Sequence, residues 1–221
     1  MFRIDEYIDE LIGTLKEAFG ERLVYIGLQG SYLRNEATEN SDIDIMAVID
    51  KFSVEDMKTY QKALVSVGNF DKSCGFICGK TDLENWNPLE ICHLLNTTKD
   101  YYGELKNLVP AYTLEDERNY VKLSLNNLFH EICHRYIHAD RERNISKLPI
   151  TCKSVFYIMQ HLHYLSTGNF VQTKRELLEC VQDEDKTVLE LSIFMQNHID
   201  YDFDRAFSVL FNWCQNALSR I

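Results

Sequence analysis

A chain of 221 residues, 45% hydrophobic and 26% charged, has the length for one large domain or two small ones and the composition of a globular protein. Residues 1–110 hold 11 Lys and Arg against 19 Asp and Glu, and residues 111–221 hold 12 against 15, within a net charge of −11; this argues against a broad nucleic-acid surface and suits a cationic small partner. No apolar run approaches the ~20 residues of a membrane span, and the acidic start at Asp5 and Glu6 is unlike a signal peptide, so a cytoplasmic protein with no membrane or nucleic-acid partner is expected.

In chain order, apolar positions Ile4, Tyr7, Ile8, Leu11, Ile12, Leu15, Ala18 and Phe19 recur with a period near 3.6 and predict a helix stopped by Gly20. Residues 22–28 read as a strand. Ser31 to Ala37 reads as a short helix whose first N–H groups would face an anion. Residues 43–49 are a second apolar strand. Ser53, with Asp56 three residues on, caps a helix to about Val67, and Gly68-Asn69 ends it. Cys74 to Cys78 is expected as a third strand, Asn85 to Pro88 as a turn, Leu89 to Leu95 as a further strand and Thr98 to Leu108 as a helix. Val109-Pro110 is the expected junction between a domain of residues 1–109 and a helical one of residues 110–221. In the latter, Thr113 and Asp116 resemble a capping box for a helix to about Ala139. Asp140 to Pro149 reads as a charged loop, with helices over 151–166, 172–182, 184–197 and 202–220 and a turn at Gly168-Asn169.

The chemistry concentrates where the first two strands meet. Asp42 and Asp44 are two apart, so on a strand their side chains share a face. Neighbouring carboxylates repel unless a cation lies between them. Hard oxygen donors suit Mg²⁺, which one or two carboxylates and substrate phosphates usually hold. Gly30-Ser31, at the end of the preceding strand, is a loop that phosphates can approach.

The pattern of a strand, Gly30-Ser31, ten residues that contain Arg34 and end in Ser41, and then Asp42-Ile43-Asp44 resembles the minimal nucleotidyltransferase fold of the DNA polymerase β superfamily. The helical second half, with Tyr164 to Gly168 followed by Lys174, is similar to the C-terminal domain of bacterial aminoglycoside adenylyltransferases. The resemblance implies an α+β protein: a small mixed β-sheet nucleotidyltransferase domain with flanking helices, then an all-α bundle that binds substrate. It further implies that Asp42 and Asp44 hold Mg²⁺ on the triphosphate of ATP or another nucleoside triphosphate. Gly30, Ser31, Arg34, Ser41 and Lys174 would serve the nucleotide. A small hydroxylated acceptor, cationic and aminoglycoside-like, would be deprotonated by a third carboxylate and attack the α-phosphorus, with two metals at roughly 3.5–4 Å clamping the entering and leaving oxygens.

The sequence departs from the pattern in one respect. The third carboxylate usually sits on the strand after the intervening helix, and Ser73 to Cys78 contains none. Asp71 lies just before it, and Glu90, on the following apolar segment, is the base expected here. The gap keeps open a module that binds nucleotide or a partner without turnover. Modification of a protein partner, as by antitoxin-type nucleotidyltransferases, is a further alternative, set back by the fused helical domain.

Two other signals yield to plainer readings. His130-Glu131-Ile132-Cys133-His134 matches H-E-x-x-H, which on a helix would align two zinc ligands. No third ligand is marked, so His130, Glu131, His134 and His138 are expected to line a cleft or pack polar faces. The seven cysteines are odd in number and mostly in apolar runs, including Cys74 and Cys78, which points to core packing of reduced thiols. The sequence leaves the oligomeric state open.

Overall fold

A computed structural model describes residues 2–197 and 200–221. The chain forms two compact units, divided between Tyr112 and Thr113.

The first unit is built on a four-stranded mixed sheet. Its elements are α1 (Ile4–Phe19), β1 (Leu23–Leu28), α2 (Gly30–Leu33), β2 (Ile43–Ile49), α3 (Val54–Val67), β3 (Ser73–Gly79), α4 (Lys80–Glu84), α5 (Pro88–Asn96) and β4 (Lys99–Tyr102). The strand order is β3-β2-β1-β4. β1 runs antiparallel to β2 and β4, and β2 runs parallel to β3. α3 makes the crossover that a parallel β2–β3 pair requires. β2 reads almost continuously apolar because both faces of the sheet are covered. Ile43, Ile45, Ala47 and Ile49 pack on one face against Ile8, Leu11 and Leu15 of α1 and Tyr60, Ala63 and Leu64 of α3. Met46 and Val48 pack on the other against Tyr25, Cys78, Leu83, Ile91 and Leu94. Each fully buried Ile or Leu contributes about 1.5–3 kcal/mol relative to exposure. The central strands are thereby fixed in register, since a one-residue slip would turn their apolar sets outward.

Two segments exchange the types expected from sequence. Leu89 to Leu95 is helical, within α5, because Asn87 accepts from the Leu89 N–H as N-cap and Pro88 occupies the first turn. A short apolar run does not distinguish a buried strand from a buried helix face. Thr98 to Leu108 is not a helix: Lys99–Tyr102 forms β4 and Leu105–Asn107 one 3₁₀ turn. Pairing of β4 with β1, through Leu28 with Lys99 and Gly27 with Asp100, satisfies an otherwise open edge. The Tyr25 hydroxyl donates to Asp100 at 2.6 Å, which anchors that pairing.

The second unit is helical: α6 (Leu114–His138), α7 (Arg141–Thr151), α8 (Lys153–Thr167), α9 (Lys174–Cys180), α10 (Asp183–Asn197) and α11 (Phe203–Arg220). Leu125, Leu128 and Ile132 of α6, Val155, Phe156 and Met159 of α8, Leu189 of α10, and Leu210 and Trp213 of α11 form its core. The expected charged loop over 140–149 is instead α7, started by Asp140, whose carboxylate accepts from the Arg143 N–H. Leu148 is buried there, and the Asn144 amide donates to the carbonyls of Arg135 and Ala139. The charges of this segment are the solvent face of a helix. Among the described residues no helix is long and apolar enough to cross a membrane.

The starts of α3, α6 and α9 rest on capping boxes. At α3 the Ser53 hydroxyl accepts from the Asp56 N–H, and the Asp56 carboxylate returns the bond to the Ser53 backbone. Arg22 also grips that carboxylate through both terminal nitrogens, at 3.0 and 2.9 Å. These bonds, that of Arg22 foremost, hold the Asp56 carboxyl below its ordinary range. Ser53→Ala should lower stability by about 1 kcal/mol in denaturant titration. A depressed carboxyl stabilises above its unfolded pKa, and that contribution is lost as pH falls through the lower folded value. Asp56→Asn should therefore be less stable than wild type at neutral pH, with the gap closing below about pH 3.9 in acid titrations of thermal unfolding.

Candidate active site

At the end of β1 the Gln29 N–H donates to the Asp44 carbonyl at 2.9 Å, and the Gln29 side chain donates to Thr98 at 2.8 Å. These bonds press the turn at Gly30 onto the first residues of β2. Gly30 has φ +70°, and a Cβ there would lie 1.9 Å from Oδ2 of Asp44. Only a glycine lets the backbone pass over the carboxylate at this distance. Asp42 immediately precedes β2 and is exposed, whereas Asp44 is half-buried within it.

Burial pushes the Asp44 carboxyl up, a hydrogen bond from the Cys74 thiol pulls it down, Asp42 pushes it up and Arg34 pulls it down. The site thus holds a carboxylate, Asp44, partly out of water and disfavoured in its charge by burial and by its neighbour Asp42. Oxygen donors in this state fit a divalent cation, and the bare Gly30 backbone leaves room for a phosphate beside them.

The remaining expected residues fall as follows. Ser31 is part of α2. Arg34 is largely buried and pairs with Glu36 at 3.0 Å, close enough for its charge to act on Asp44. The Ser41 hydroxyl accepts from the Thr38 N–H at 2.8 Å, ordering the turn that leads into Asp42. Lys174 belongs to the helical unit, where its ammonium donates to Gln196 at 2.8 Å and lies over the Phe156 ring. Glu90 is exposed in the first turn of α5 rather than on a strand, and the charged groups acting on Asp44 are Asp42 and Arg34.

Cys74 is the residue that sequence reasoning passed over. The parallel register sets Asp44 beside Cys74, Met46 beside Phe76 and Val48 beside Cys78. Cys78 is buried, but Cys74 is exposed and hydrogen-bonded to Asp44. Counting along β3 from β2 would have found it, because paired residues on neighbouring strands share a face.

The second unit has its own polar clusters. Glu131 is committed to Arg135 at 2.7 Å and to the Thr151 hydroxyl at 2.8 Å. His130, His134 and His138 line an exposed recess of about 360 Å³ with Arg135 and Arg143. The glutamate of the H-E-x-x-H match is therefore engaged as a structural acceptor. Glu117 and His161 form a buried hydrogen-bonded pair, with the rings of Tyr120 and Phe170 against the imidazole.

Residues 8–110 match the family model described as a nucleotidyltransferase domain. The first unit is a nucleotidyltransferase domain. Through that domain the chain is of the nucleotidyltransferase type. No curated protein matches it in sequence. Among solved structures, spectinomycin adenyltransferase AAD(9) from Enterococcus faecialis, determined with ATP and spectinomycin, aligns with a TM-score of 0.62 at 13% identity, covering 97% of this chain and 99% of that one. At that identity the likeness is one of fold, an α+β nucleotidyltransferase domain followed by a helical unit.

Gly30→Ala tests the close approach in the nucleotidyltransferase domain. The variant should remain folded by circular dichroism, and calorimetric titration should show Mg·ATP binding weakened about tenfold or more, equivalent to about 1.4 kcal/mol.

Proposed function

We propose that the nucleotidyltransferase domain moves a nucleoside monophosphate, AMP from ATP, onto a hydroxyl of a small cationic acceptor of aminoglycoside type. The observation that carries the reading is the packing of the Gly30 backbone on Asp44, with the exposed Asp42 just before β2. Support for the acceptor class comes from the net charge of −11 and from the ATP and spectinomycin named with the AAD(9) structure. A negative protein raises the local concentration of cationic substrates by steering.

In this mechanism Asp42 and Asp44 hold Mg²⁺, which when bound neutralises triphosphate charge. Gly30 admits the phosphates to the backbone, and Ser31 offers a hydroxyl donor to one of them. Arg34, steadied by Glu36, brings positive charge to the carboxylate end of the site. Ser41 fixes the approach of the chain to Asp42. Positioning and fixed charge supply most of the rate enhancement in transfers of this kind.

A second reading, nucleotide binding without turnover, is favoured by the thiol that β3 places beside Asp44. The two readings separate in one assay: labelled ATP, Mg²⁺ and a panel of hydroxylated cationic antibiotics, followed by mass and pyrophosphate release. An AMP adduct supports transfer, and Mg·ATP binding with no adduct or pyrophosphate supports the second reading. In the transfer reading, Asp42→Ala should lower turnover about 100-fold or more with the fold intact; unchanged turnover would place the site elsewhere.

A further inference from the structure

β3 supplies a sulfur beside the Asp44 carboxylate. Cys74 pairs in register with Asp44, and its thiol donates to that carboxylate, within reach of the charge on Asp42. Gly75 makes this placement rigid. It has φ +102°, and a Cβ there would lie 2.0 Å from the Ile45 carbonyl oxygen, so β3 is seated directly on β2 one residue beyond the thiol. β3 itself, Ser73 to Gly79, carries no carboxylate. The nearby acids are otherwise placed: Asp82 accepts from the Gly79 N–H at 2.9 Å, Asp71 is exposed in a 3₁₀ turn before the strand, and Glu90 is exposed on α5.

Resting on the nucleotidyltransferase reading of this site, we propose that Cys74 occupies the place from which a carboxylate would take the proton of the attacking hydroxyl, so that the chain binds Mg·NTP but transfers slowly until residue 74 is a carboxylate. In the transfer, the hydroxyl oxygen forms a bond to the α-phosphorus. The bond from that phosphorus to the bridging oxygen breaks, and pyrophosphate leaves with the electron pair. The hydroxyl proton goes to the carboxylate at position 74 where one is present, and to water where it is not. A thiol is a weak acceptor with one sulfur in place of two carboxylate oxygens, so it orients an attacking hydroxyl poorly.

The test compares wild type with Cys74→Glu and Cys74→Asp. Pyrophosphate release from Mg·ATP is followed with water and with spectinomycin as the hydroxyl probe, and Mg·ATP affinity is measured by calorimetry. A positioned general base is worth about 10²–10⁴-fold, so Cys74→Glu or Cys74→Asp should raise kcat by about 100-fold with affinity little changed. A readout independent of turnover is iodoacetamide labelling followed by mass spectrometry. Mg·ATP should slow alkylation of Cys74 relative to Cys180, the other exposed thiol. Intact Mg·ATP binding with no gain in either carboxylate variant overturns this inference alone, as does a lack of protection of Cys74. Absence of Mg·ATP binding by the wild-type chain overturns the underlying reading, and this one with it.

Discussion

The seating of the Gly30 turn on Asp44 is the constraint on which the first unit turns. It requires a glycine in the left-handed region, a strand end held by the Gln29 bond to the Asp44 carbonyl, and a β2 register that sets Asp44 on the face opposite Ile43 and Ile45. The apolar remainder of β2 secures that register: Ile43, Ile45, Ala47 and Ile49 face α1 and α3, leaving the alternate positions Asp44, Met46 and Val48 for the other face. A half-buried charge is affordable here because the same strand buries so many aliphatic side chains. The sheet is a rigid mount for two groups that repel each other.

Much of this was legible in the chain. The 3.6-residue period of α1, the Ser53–Asp56 capping box and the spacing of Gly30 from Asp42 and Asp44 each carry their own physical signature. The nucleotidyltransferase domain and the α+β architecture followed from those local marks together with the resemblance they support. What was not legible depended on distant partners. Residues 99–102 become a strand because β1 needs a second neighbour, and 89–95 a helix because Asn87 and Pro88 outweigh an ambiguous apolar run. The charges of residues 140–149 masked a helix whose inner face rests on Asn144 and Leu148.

The candidate site divides along the same line. Its two aspartates are two apart in sequence, and that spacing alone suggests a shared face. Cys74, the neighbour of Asp44, lies on another strand, thirty residues on, and becomes visible only when β2 and β3 are laid in parallel register. A cysteine in a short apolar strand reads as packing, and for Cys78 it is packing. Two residues of the same type, four apart on one strand, thus serve different ends because one lies under α4 and α5 and the other at the open end of the sheet.

β3 is an edge strand, and Cys74 stands exposed on it while Cys78, four residues along, is sealed in the core. Fold and chemistry are therefore carried by different atoms of one element. Side chains at position 74 can change in charge and length without repacking an interior, so that position can vary while the stability of the domain stays nearly constant. Gly75 is the counterweight: pinned between a left-handed backbone and the Ile45 carbonyl, it keeps any such replacement aimed at the same pair of aspartates.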